Sequence, residues 1–73
     1  MPFEMVAVDS ERISEYGYDR DAGAVYVRFR NDGKAWQYRG VPEYVWDQFV
    51  DAESKGRFIK DVLDRYEHGP ADV

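Results

Sequence analysis

Carboxylates are the most numerous reactive groups in this sequence, and two pairs, Asp47/Asp51 and Asp61/Asp64, stand at the spacing that makes neighbours on a helix. Adjacent carboxylates can act as general acid and base when an apolar environment raises one pKa. No apolar setting is evident around either pair, so a solvated acidic face is expected. The single histidine, His68, has no Cys and no carboxylate cluster at ligand spacing beside it, and a zinc site cannot be assembled from it. Ser10, Ser14 and Ser54 lack a visible general base. Asp19-Arg20-Asp21 opens like a calcium loop, but Ala24 and Arg30 stand where such a loop needs Gly and Glu. The glycines are scattered and form neither a phosphate loop nor a dinucleotide fingerprint. No catalytic constellation is complete, so the chain is expected not to be an enzyme and to carry no cofactor or metal.

Two groups of residues fit binding better. Trp46, with Glu43, Asp47 and Asp51 around it, combines a large amphipathic ring with negative charge, a good anchor for a basic, apolar segment of a protein partner. The plainer alternative is that Trp46 seals the edge of the core. Tyr26, Arg28, Arg30, Gln37 and Arg39 form the second group, a basic set with an aromatic member of the kind on which single-stranded RNA stacks. Its plainer alternative is a solvated sheet face whose arginines pair with acids across strands.

Both groups must be carried by a very small fold. The 73 residues allow one domain, 1–73, with a folded core over about 6–67 and a short C-terminal tail. A chain of this size buries only about 60% of its unfolded surface, which leaves no room for an internal catalytic chamber. At 44% hydrophobic and 16% aromatic residues it is expected to fold despite its 34% charged content. The absence of Cys excludes a disulfide-stapled secreted scaffold and points to a reducing cytoplasm. Neither a leader nor a membrane span is read in the sequence, and a monomer without small-molecule substrate is expected. The net charge of -5 is uneven: residues 41–73 hold eight acids against four bases. Such a surface repels nucleic acid phosphates and attracts basic protein.

Alternation of apolar and polar residues over 13–39 predicts three antiparallel strands. Val25, Val27 and Phe29 share one face, and Tyr26, Arg28 and Arg30 the other. Asp19–Gly23 and Asn31–Gly33 read as the hairpin loops, with Gly33 supplying positive φ. Tyr16, Tyr18, Trp36 and Tyr38 line one face with aromatic rings. A short extra strand over Met5–Val8 is a further possibility in the pattern. From Pro42 the period becomes helical, with Val45, Phe49 and Ala52 on one stripe. Gly56 reads as the stop, with Lys55 beside the negative end of the helix and Ser54 as a structural hydroxyl in the turn. Ile59, Val62, Leu63 and Tyr66 predict a second helix, ending at Gly69 and Pro70 with His68 near its end. The expected fold is α+β, a three-stranded meander followed by two helices packed on one face, in the order β-β-β-α-α.

Gly17-Tyr18-Asp19, Val25-x-Val27-x-Phe29, Gly33, Trp36-Gln37-Tyr38, Val41-Pro42, Ala52-x-Ser54-x-Gly56 and Tyr66 together resemble the KTSC domain family. That family takes its name from a C-terminal extension of some lysyl-tRNA synthetases and includes small free-standing bacterial and phage proteins. Trp36 stands where the family's central Tyr-x-Tyr has its first Tyr, and Lys60 where members often have Asn. The length, the Met1-Pro2 start and the acidic helical half are most similar to phage members that regulate transcription. That resemblance implies a partner, bacterial RNA polymerase. It also implies inhibition of initiation by interference with sigma factor, an antitermination role, and a location in the host cytoplasm. The family resemblance implies RNA binding as the alternative.

Overall fold

Val25 and Val27 are fully buried while Tyr26 and Arg28, which alternate with them, are only partly buried, the period-two pattern of a strand with one face on the core. The computed structural model describes residues 3–73, so the Met1-Pro2 start lies outside the described residues. The strands are β1 (Val6–Ala7), β2 (Ile13–Asp19), β3 (Ala24–Phe29), β4 (Ala35–Arg39) and β5 (Glu67–Ala71). Between β4 and β5 lie helices α1 (Glu43–Asp51) and α2 (Lys55–Asp61) and a 3-10 turn at Leu63–Arg65.

All five strands form one antiparallel sheet in chain order. The expected three-stranded meander is therefore wrong in strand count, though the fold is α+β. The central meander forms where expected and gains β1 on one edge and β5 on the other. The tail expected after His68, and the helix expected to run to Tyr66, give way to β5. Here Trp36 faces Pro70 and Tyr38 faces His68. The reason is local: the chain leaves helical geometry at Val62 (φ -119°) and tightens into the 3-10 turn. Tyr66 is then extended at φ -87° and ψ 159°, which launches a strand. Gly69 and Pro70, read as a helix stop, are tolerated on an edge strand, where a missing N–H costs little.

Gly56 also departs from expectation, lying inside α2 instead of ending α1. The stop comes from Ala52, which turns extended. The Lys55 ammonium donates to the carbonyls of Val50 and Ala52 at 2.8 and 2.6 Å and neutralises that helix end. Ser54 caps α2 by accepting from the Arg57 amide at 3.2 Å, a contact typically worth about 1 kcal/mol. Pro42 is the residue before α1, one place earlier than expected.

Both helices lie on one side of the sheet. Ile13, Val25, Val27 and Tyr38 from the strands meet Val45, Phe49, Ile59 and Leu63 from the helical segment, with Val41 between. Phe49 is fully buried, whereas Phe29, expected on the same face as Val25 and Val27, is only half-buried near a bulge between Ile13 and Glu15. On the opposite side the segment 3–5 crosses β2. A Cβ on buried Gly17 would lie 2.6 Å from the Glu4 carbonyl oxygen, and Phe3 stacks on Tyr26 with centroids 4.5 Å apart. Gly33 has φ +70°, as its loop requires.

Candidate functional site

Helix α1 presents Tyr44, Asp47, Gln48 and Asp51 along one exposed stripe, because these positions recur at three- and four-residue intervals. Val50 lies on its flank. Tyr44 is 66% exposed and Val50 39%, two of the few large apolar side chains that the fold leaves in water. Periodicity signals this outer face, since it is what remains once Val45 and Phe49 turn inward, but the aromatic Tyr44 on it escaped the sequence reading.

The sequence-derived residues of this surface fare differently. Asp47 and Asp51 are exposed and enter no ion pair among the described residues. Glu43 is exposed too, but it pairs with Arg20 from the β2–β3 turn, which cancels much of its local field. Trp46 is half-buried. It stacks on Tyr18 at 5.5 Å and meets Tyr16 and Phe49 edge-on at 5.0 and 6.0 Å. Each such aromatic pair adds about 0.5–1.5 kcal/mol beyond area burial, so Trp46 fastens α1 to the sheet and offers only part of its ring to a partner. Tyr44 is the better-placed protruding ring.

Tyr26, Arg28, Gln37 and Arg39 do share the sheet face turned away from the helices. Their hydrogen-bonding groups, however, are largely engaged. Arg28 donates to Glu15 at 2.8 Å, to the Gly33 carbonyl at 2.9 Å and to the Val73 carbonyl. Arg39 pairs with Glu67 at 3.0 Å, and Gln37 donates to the Pro70 carbonyl at 3.3 Å. Arg30 turns to the preceding loop, where it donates to the carbonyls of Ser10 and Val8. Phe3 covers Tyr26, so the ring is not free for a base to stack upon. The cross-strand pairing weighed in the sequence as the plainer alternative is present for Arg28 and Arg39.

The reactive groups outside these surfaces have structural settings. Asp19 accepts from the amides of Asp21 and Ala22 at 3.1 and 3.2 Å and shapes the turn. His68 lies in β5, with Nδ1 2.7 Å from the Tyr66 carbonyl and its ring tilted over Tyr38. Burial pushes the Tyr38 phenol up to about 12, with the Asp64 carboxylate adding to the effect. Among the described residues no three His, Asp or Glu side chains gather where they could hold a metal ion. No helix among them is long and apolar enough to cross a membrane.

A five-stranded antiparallel sheet, two short helices on one face and an exposed acidic helix surface define a small α+β module. The KTSC domain model matches residues 9–66, and the chain belongs to the KTSC domain family. A protein of Tsukamurella paurometabola is 36% identical over 59 residues, covering 81% of this chain and 87% of its own. The crystal structure of a KTSC domain protein from Yersinia pestis is similar throughout. Its TM-score is 0.88 at 35% identity, with 96% of this chain and 99% of that one covered.

Proposed function

We propose that the protein is a non-enzymatic transcription regulator of the phage type. It docks on host bacterial RNA polymerase, inhibits initiation by interfering with sigma factor, and acts as an antiterminator. The observation that carries the protein-binding part of this reading is the outer stripe of α1, where Tyr44 projects at 66% exposure at one end, followed one and two turns on by Asp47 and Asp51, which enter no ion pair among the described residues. An exposed ring in line with two like charges suits a basic partner surface, the ring limiting dissociation and the charges speeding encounter. The choice of polymerase rests on the resemblance to phage regulators set out from the sequence.

An RNA-binding module is the competing function, and the engaged guanidinium groups of Arg28 and Arg39 and the covered Tyr26 weigh against it. The test is capture by the immobilised protein from bacterial lysate, with and without nuclease. Retention of polymerase subunits after nuclease treatment is the expected result. Capture that disappears with nuclease replaces this reading with RNA binding.

A further inference from the structure

The two edges of the sheet are finished differently. Strand β5 carries Pro70, which has no N–H to offer to a further strand. Strand β1, at the other edge, is Val6–Ala7 followed by Val8, with neither proline nor charge. The Val8 amide donates at 3.0 Å to the carbonyl of Ser14, its opposite number on β2. By the alternation of an antiparallel ladder, the N–H and C=O of Ala7 therefore point away from β2, and no strand of the sheet lies beyond them.

Beside this edge the helix side of the sheet is apolar. Val6 lies opposite Tyr16 and shares its face, and the Tyr16 ring meets Trp46 edge-on at 5.0 Å. Val50 follows Trp46 by one turn on the same flank of α1. Val6 is 45% exposed and is, with Val50 and Tyr44, one of the large apolar side chains left in water among the described residues. A strand added to β1 sets every second side chain on this apolar shelf.

Charge decides what kind of strand fits. Glu4 and Asp9 bound β1, while Asp47 and Asp51 stand on α1 beside Trp46 and Val50. All four are exposed and enter no ion pair among the described residues. The cation that reaches this edge is Arg30, which donates to the Val8 carbonyl at 3.2 Å and balances one acid of the four. The surplus is negative, and it repels a nucleic acid backbone. A second copy of β1 is disfavoured too, since it brings another Glu4 and Asp9 onto the same short ladder and each chain carries -5.

We propose that the β1 edge accepts an extended segment of a partner protein as a sixth strand, one in which lysine or arginine alternates with apolar residues. Its main chain pairs with Ala7, its apolar side chains lie on the shelf of Val6, Tyr16, Trp46 and Val50, and its basic ones are drawn toward Glu4 and Asp9. Asp47 and Asp51 add to the attracting field. The proposal rests on the reading of α1 as the face met by a basic partner, and it supplies the form of the segment and the strand that receives it.

The test is a titration of the isotope-labelled full chain with the end-capped peptide acetyl-Lys-Val-Lys-Val-Lys-Val-Lys-amide, followed by amide resonances. Saturable shifts confined to residues 5–9, 16 and 46–51 are expected. With the valines on the shelf, the backbone N–H groups of the two inner lysines face β1. N-methylating them leaves the charge unchanged and should weaken binding about tenfold or more. Ala7→Pro should do the same, and because it deletes an N–H that no strand of the fold uses, the resonances of β2 should stay those of the parent. Val6→Lys, at an exposed side chain, is the second variant and should weaken binding by like-charge repulsion. Absence of saturable shifts overturns the proposal, as does indifference to N-methylation and to both variants, or tighter binding of a uridine hexanucleotide at these residues. Undiminished binding of RNA polymerase by Ala7→Pro overturns strand addition and leaves the polymerase reading intact. Failure of polymerase to bind the parent, with the peptide still seated on β1, removes that reading and leaves strand addition standing.

Discussion

Tyr18 and Trp46 lie nearly parallel, 10° apart in plane, and the Tyr18 hydroxyl donates to the Val41 carbonyl at 2.7 Å. One strand residue thus grips both α1 and the link that leads into it. Because Trp46 serves this clamp, Trp46→Ala should lower stability by about 2–3 kcal/mol, short of the loss at a fully buried aromatic. Tyr44→Ala, on the open side of the same helix, should stay within about 0.5 kcal/mol of the parent. Chemical denaturation of the two variants separates the clamp residue from the surface residue.

Phe49 touches Tyr16, Trp46 and Phe58 and has no exposed surface. Phe49→Ala should cost about 3–5 kcal/mol, enough to unfold much of a domain this small. Phe29→Ala should cost clearly less, because Phe29 is only partly buried at the sheet end. Equal losses in urea unfolding would show that the core is centred differently.

At Gly17 the close approach of the Glu4 carbonyl leaves no space for a methyl group. Gly17→Ala should displace the segment 3–5, uncover Tyr26 and cost about 1–3 kcal/mol. The diagnostic reading is loss of ring-current shifts between Phe3 and Tyr26, with β2 and β3 otherwise intact.

The Tyr38 phenol, raised from 10.0 to about 12, makes a signed prediction in alkali. Between those values the unfolded chain gives up this proton while the folded protein keeps it. The unfolded state then binds fewer protons, and stability falls as pH rises through this window. Below pH 10 this residue adds no slope. Tyr38→Phe should remove its part of the alkaline decline, as measured by unfolding at successive pH values.

How far the sequence discloses this structure depends on where each signal resides. The central meander is written in alternation at Val25 and Val27, and α1 in the recurrence of Val45 and Phe49, both local patterns. Strand β5 is not local: Glu67–Ala71 contains Gly69 and Pro70, the residues of a turn, and becomes a strand only by pairing with Ala35–Arg39. Gly56 misleads for a similar reason, since its lack of a side chain serves the distant Arg12 instead of a helix end. Among the site residues, Asp47 and Asp51 are readable as an exposed pair from spacing alone. The aromatic contacts that hold Trp46, and the carbonyl and carboxylate partners of Arg28, arise only when segments far apart in the chain meet.

The polymerase reading is tested by the rate at which purified bacterial RNA polymerase associates with the protein as ionic strength is varied. The parent should associate rapidly at low salt and slow steeply as salt rises. Asp47→Lys with Asp51→Lys should associate about tenfold more slowly at low salt and lose most of that dependence, because steering by exposed charge is screened by ions. Identical rates and salt slopes for parent and variant, or no binding by the parent, would contradict the proposed role of α1.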